Sequence, residues 1–334
     1  MSASNESFQA PPPPTVLPSQ PAPRPTKLRP FAIGFFVLGI IVLGAGIPKV
    51  IPGGIQTGGV MALFGVILFA FSFIPLPVIP NAEAPLSFFD RITGIFFEPS
   101  KVFRNLRAHP HWVGAFVILA VLTTVYAFAF VQRVTPERIV DHTTQKLAEM
   151  GPPFAPPPER LEIMKQAQLA QMTNPFERVG TVIKSSIGIF VIASLAAALS
   201  LLCILAFGGR INFWQALAVT FYAWLPVIAI QKLLGLLIMY LKDPDALHPI
   251  RNQETTLQDN LSLLVSAADH PVLFVLATFF GLTWIYYLWL RAKGLHYGGT
   301  KVSSAAGWGV SLTLYFLLMI FLVSATALFP TFVT

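Results

Sequence analysis

Residues 88–112 read FFDRITGIFFEPSKVFRNLRAHPHW. Taken as a helix from Phe88 to Phe97, the first part places Phe88, Phe89, Ile92, Ile95 and Phe96 on one side. Asp90, Arg91, Gly94 and Glu98 fall on the other. Pro99 ends that helix, because its ring removes a backbone donor, and it suits the first position of the next one. The second helix sets Val102, Phe103 and Leu106 against Lys101, Arg104 and Arg107. Two short amphipathic helices rich in Phe and basic residues are expected to lie in a membrane interface. Phe88, Phe89, Ile92, Phe96, Lys101, Phe103, Arg104 and Arg107 are therefore the candidate contacts with lipid or a partner. The alternative is a solvent-facing helical hairpin packed on a bundle.

Composition decides what surrounds this stretch. The chain has 334 residues, of which 54% are apolar and only 11% charged, and its mean hydropathy is +0.68. Those values belong to an integral membrane protein. The formal net charge of +7 would suggest nucleic acid in a soluble protein. Here the basic residues gather beside apolar runs, where they set orientation and meet anionic lipid, so no nucleic-acid partner is expected.

Upstream, residues 1–30 form a Pro-rich tail, expected to be disordered and cytoplasmic, and too polar for a secretory signal. Residues 31–80 read as a two-span hairpin, Phe31–Ile47 and about Val60–Ile79, joined by a Pro/Gly turn. Glycines 34, 39, 44 and 46 offer small surfaces for helix contact. Downstream, spans are expected at Val113–Val131, Val182–Phe207, Phe213–Tyr240, Pro271–Leu290 and about Ala306–Phe329. Pro226 should kink the third of these. The polar stretch 132–180 reads as an extracytoplasmic helical connector. The fold class is thus all-α: a polytopic helical membrane protein of about seven transmembrane helices with interfacial amphipathic helices. Lys and Arg in the short loops, Arg291 counted among them, put the amino terminus in the cytoplasm and the carboxyl terminus outside.

Chemistry is sparse. No Walker loop, GxSxG elbow or HExxH occurs. Cys203 is the only cysteine, the six histidines form no sequence cluster, and no Asp or Glu lies within a span. No catalytic residue, cofactor or metal site is expected. Lys184 sits near a span end, where snorkelling explains it. Gln231 and Lys232 lie between apolar residues near Pro226 and are the candidates for a transport path; an overshooting helix would instead leave Lys232 at the outer interface.

The stretch 88–112 resembles the opening of the Yip domain, the family named for proteins that interact with Ypt/Rab GTPases. FGGRINFWQALAVTFYAWLPVIAI is similar to its small-Gly-basic-x-Phe turn followed by a Pro-containing span. The resemblance covers about residues 86–330, a five-span membrane unit, and EPSKVF points to the prokaryotic branch. Glu98, Pro99, Gly208, Gly209, Arg210, Phe213 and Pro226 are the matched positions, with structural roles. The resemblance implies a non-enzymatic scaffold or adaptor that shapes membrane and recruits membrane partners or copies of itself. A bacterial cytoplasmic (inner) membrane is the expected location. The Pro-rich tail does not resemble the acidic amino-terminal segment associated with Rab binding.

Overall fold

Proline decides where many of the helices begin. It stands in the first turn of α1 (Arg29–Gly46), α4 (Pro99–Ala108), α6 (Pro136–Ala148), α7 (Pro158–Thr173), α8 (Pro175–Ala206) and α10 (Pro271–Thr278). There its missing N–H costs nothing and its fixed φ suits the helix. The others are α2 (Gly54–Phe71), α3 (Phe88–Phe97), α5 (Val113–Val134), α9 (Phe213–Leu241), α11 (Leu282–Gly298) and α12 (Ser304–Leu328). The structure, a computed structural model, describes residues 25–80, 82–149 and 155–328. Most of the Pro-rich tail and part of the GPPFAPPP break lie outside those residues.

Six helices are long and apolar enough to cross a membrane: α1, α2, α5, α8, α9 and α12. The protein is an all-helical, polytopic membrane protein. The span expected at 271–290 differs. It is divided into α10 and α11, with a break at Phe279–Gly281. Residues 259–261 enter that break. Leu261 N donates to Phe280 O (3.1 Å), Leu282 N to Asp259 O (3.3 Å), and the Asp259 carboxylate accepts from Thr283 N (2.7 Å). Gly281 permits the approach, since a Cβ there would meet Asn260. The loop thus supplies the partners that the broken helix ends need.

One further span is longer than its apolar run suggests. α8 starts at Pro175 instead of Val182, with Asn174 accepting from Phe176 N (2.9 Å). Its 32 residues reach about 48 Å, so its first turns stand clear of a bilayer core of about 30 Å and carry α7. α9 stays helical on both sides of the buried Pro226. Its start is fixed by a capping box, Asn212 accepting from Trp214 N (2.9 Å) while Gln215 accepts from Asn212 N (2.7 Å).

The core lies around the first half of α9, where every residue from Phe213 to Ala223 is buried. An aromatic layer links the start of α5 with α8, α9 and α2 there. Trp112 stacks on Trp214 (6.4 Å) and Phe221 (5.8 Å), and Phe190 meets Trp112 (5.3 Å). The amino-terminal hairpin joins the same layer: Phe64 packs edge-on to Phe190 (5.2 Å) and Phe71 lies 4.8 Å from Phe213. Trp214 Nε1 also donates to Ile74 O (2.9 Å). One apolar core therefore runs from the hairpin into the bundle. Within the hairpin, α1 and α2 meet through Gly39, Gly46, Gly54, Gly58 and Gly65, at each of which a Cβ would strike opposing backbone. Gly34 and Gly44 face open space.

Candidate functional site

The α3–α4 stretch forms a bent step at one end of the bundle. Ser87 caps α3, accepting from Asp90 N (3.1 Å). Glu98 is the hinge: its N–H closes α3 on Gly94 O (2.7 Å) and its carbonyl opens α4 by accepting from Lys101 N (3.0 Å). The Glu98–Lys101 ion pair (3.1 Å) is exposed, so it adds at most about 1 kcal/mol. Two side chains that sequence reasoning missed hold the step in place. Buried Asn105 donates to Ala84 O (3.0 Å) and accepts from Leu86 N (3.1 Å). Buried Gln215 of the α9 capping box donates to Arg107 O (2.6 Å), fastening the last turn of α4 to the first turn of α9. Asn105 has no local pattern to mark it, and the Asn212-x-x-Gln215 spacing signals a helix start but not the bond to Arg107.

The candidate contact residues separate into two groups. Phe89 is 75% exposed, and Phe88 and Phe96 are partly exposed with it. Phe97, absent from the expected apolar side, is the most exposed at 84%. Lys101 and Arg104 are exposed as well. Ile92 and Arg107 are half-buried, Ile92 packing on the core. Phe103 corrects the expectation. It is fully buried against Gly294 of α11, where a Cβ would press on its ring at 3.0 Å, and so cannot reach lipid or a partner. Amphipathic spacing marked a buried face correctly but could not say whether bilayer or protein covers it.

The other matched positions are structural joints. Gly208 has φ +75°, which ends α8 in a left-handed turn. A Cβ at Gly209 would meet Ile204 and Val302. Arg210 exchanges two backbone hydrogen bonds with Thr300 (2.9 and 2.6 Å), tying the α8–α9 turn to the α11–α12 loop. Phe213 and Pro226 are buried.

Gln231 and Lys232 lie towards the opposite end. Lys232 is nineteen residues on from Phe213, about 28 Å along α9. It is 6% exposed, and its Nζ donates to Glu254 O, lies 3.7 Å from the Glu254 carboxylate and sits 4.6 Å above the Tyr126 ring. Gln231 donates to Thr283 Oγ1 (3.2 Å). The loop after α9 thus closes over Lys232. A second buried cation was missed altogether. Arg291, expected in a loop, lies inside α11 and is 6% exposed. It donates to Tyr287 Oη (2.6 Å) and to Ser200 Oγ (2.8 Å), and so joins α11 to α8. Beyond Leu290 the helix simply continues, and a charge count cannot see that.

Titratable groups outside the spans offer little chemistry. His248 Nδ1 accepts from Ile250 N and Arg251 N (both 3.2 Å), and its ring stands edge-on to His142 (5.0 Å). Burial first, then Arg251 and His142, pushes its pKa down to about 4. Burial lowers His142 and His111 as well. Among the described residues, no group of three or more His, Cys, Asp or Glu could hold a metal ion.

No curated protein and no solved structure matches the chain. The family model described as the Yip1 domain matches residues 93–326, more than half of the sequence. The match begins within α3 and ends within α12, so it takes in most of the step, the GGR turn and the whole α9 core, and leaves the amino-terminal hairpin outside. With the step, the turn and the matched span all in place, the chain belongs to the Yip1 domain family.

Proposed function

We propose that this protein is a non-enzymatic membrane scaffold or adaptor, which organises or shapes the bilayer and recruits membrane partners or further copies of itself at its α3–α4 step. The observation that carries this reading is the contrast between the two faces of the step. One face is bolted to the bundle by Asn105, Gln215 and Phe103. The other presents Phe89 and Phe97 beside Lys101 and Arg104, with none of the described residues covering them. Rigid, exposed aromatics flanked by cations suit an anionic membrane surface and the partners that lie on it. The step would lie on the cytoplasmic face of a bacterial inner membrane, amino terminus inside and carboxyl terminus outside. A solute path past Pro226, Gln231 and Lys232 is disfavoured, because Lys232 is engaged by Glu254 and Tyr126.

Affinity purification from native membranes in mild detergent, with mass spectrometry of the co-purifying proteins, tests the proposal. The matched variant is Phe89→Asp with Phe97→Asp, which alters only the exposed face. A reproducible membrane-protein partner, or the chain's own second copy, should be captured by the wild type and lost from the variant. Identical capture by both would sink the assignment of the contact to this step. Liposomes holding the purified protein should show no solute flux; flux abolished by Lys232→Leu would replace the scaffold with a transporter.

A further inference from the structure

The α3–α4 joint and α11 line an open groove of about 490 Å³, within the roughly 300–1,000 Å³ of small-molecule sites. Its basic side carries Lys101, Arg104 and Lys293, with Glu98 the one acidic residue lining it. Glu98 pairs with Lys101. Among the described residues neither Arg104 nor Lys293 has a carboxylate within ion-pair distance. Both are placed instead by aromatic faces: Arg104 lies 5.6 Å from the Tyr297 ring centre and Lys293 4.3 Å from that of Trp289. Phe97 and Trp289 supply an apolar wall, and Phe97 is the most exposed aromatic of the step.

We propose that this pocket binds the phosphate of an anionic phospholipid headgroup from the leaflet on the α3–α4 side. Two uncompensated cations favour a phosphate whose headgroup carries no cation over a zwitterion. The apolar wall meets the glycerol and first methylenes of a lipid anchored in the adjoining bilayer, which a free anion lacks. The packing of Phe103 on Gly294 brings α4 and α11 together, so the site exists only in the folded bundle. Sequence reading gave the cations of α4 to a diffuse surface; the fold adds Lys293, nearly two hundred residues on, and makes a groove. The inference rests on the interfacial reading of the step proposed above.

The test uses the full chain, delipidated in mild detergent and titrated by native mass spectrometry with short-chain phosphatidylglycerol, short-chain phosphatidylcholine and inorganic phosphate. The expected result is one tightly held phosphatidylglycerol per chain, at least tenfold preferred over phosphatidylcholine. The triple variant Lys101→Gln, Arg104→Gln, Lys293→Gln should weaken it about a hundredfold, at roughly fivefold per cation. Lys293→Arg should retain it, and Lys49→Gln with Lys242→Gln, remote from the pocket, should leave it unchanged. Equal binding of the two lipids overturns the proposal, as does a triple variant that binds like the wild type while keeping the same thermal midpoint. Inorganic phosphate binding as tightly as phosphatidylglycerol would assign the site to a free anion and overturn the lipid. If lipid binding fails while partner capture still depends on Phe89 and Phe97, only this inference falls; if capture fails and lipid binding holds, only the adaptor reading does.

Discussion

Lys232 shows how much a single residue's meaning depends on what folds over it. In sequence it is a cation between apolar neighbours; in the fold its ammonium is held by a carbonyl and an aromatic face of the same chain. Lys232→Met should leave Glu254 O without its donor and lower stability by about 1–3 kcal/mol. Thermal unfolding in detergent measures that loss, and a neutral result would show that the carbonyl finds water instead. His248 gives a pH-dependent counterpart. Its Nδ1 is already an acceptor for two backbone N–H groups, and Arg138, Lys146, Arg251 and His142 surround it. With a folded pKa of about 4 against an unfolded value near 6.5, its contribution is complete above pH 6.5. It is lost as pH falls from 6.5 towards 4, because the unfolded chain binds the proton first. Thermal midpoints should therefore decline across that window, and His248→Asn, which keeps an acceptor but cannot titrate, should flatten the decline. An identical slope in both proteins would remove His248 as the cause.

At the scale of elements, the hairpin is held by backbone proximity more than by side-chain volume. Gly39→Val and Gly58→Val each place methyl groups into opposing backbone and should part α1 from α2. A cost of at least about 1–3 kcal/mol is expected, whereas Gly44→Val, in open space, should be near neutral. Protease sensitivity of the 47–53 turn in proteoliposomes would separate the three variants; equal behaviour would refute the close-contact account. The same glycines mark the limit of what periodicity reveals. Hydrophobic runs and prolines placed α3, α4, α5 and α9 to within about three residues, since each of those signals acts locally. The break between α10 and α11 was not legible, because Asp259 and Asn260 create it from twenty residues away. The site divided in the same manner. The exposed Phe89, Lys101 and Arg104 follow from local amphipathicity, while Phe103, Gln215 and Lys293 take their roles from helices far along the chain and Asn105 from the segment just before α3.

Across the whole molecule the joints sort into two ends, and they do so without reference to a membrane. Trp214–Ile74, Gln215–Arg107 and Arg210–Thr300 gather the α2–α3 segment, the α4 terminus, the α8–α9 turn and the α11–α12 loop at one end. Lys232–Glu254 and the bonds of Arg138 to Pro244 and Asp245 gather α6 and the post-α9 loop at the other. Removing Arg291 from the first end, since it is buried in α11, still leaves that end with Arg91, Lys101, Arg104, Arg107, Arg210, Lys293 and Lys301. The second end has Lys49, Lys242 and Arg251, besides six cations in the 132–180 connector, which has six acids of its own and is long enough to weaken the rule. The basic end should therefore face the cytoplasm. On a Cys203→Ala background, Glu162→Cys, exposed on α7, should react with a membrane-impermeant maleimide on intact cells. Ala305→Cys, exposed at the start of α12, should react only after lysis. The reverse pattern would invert the orientation and move the α3–α4 step, with its phenylalanines and cations, to the outer leaflet. Labelling of both from one side would contradict the two-ended arrangement itself, because α7 and the start of α12 could then not lie at opposite ends of the bundle.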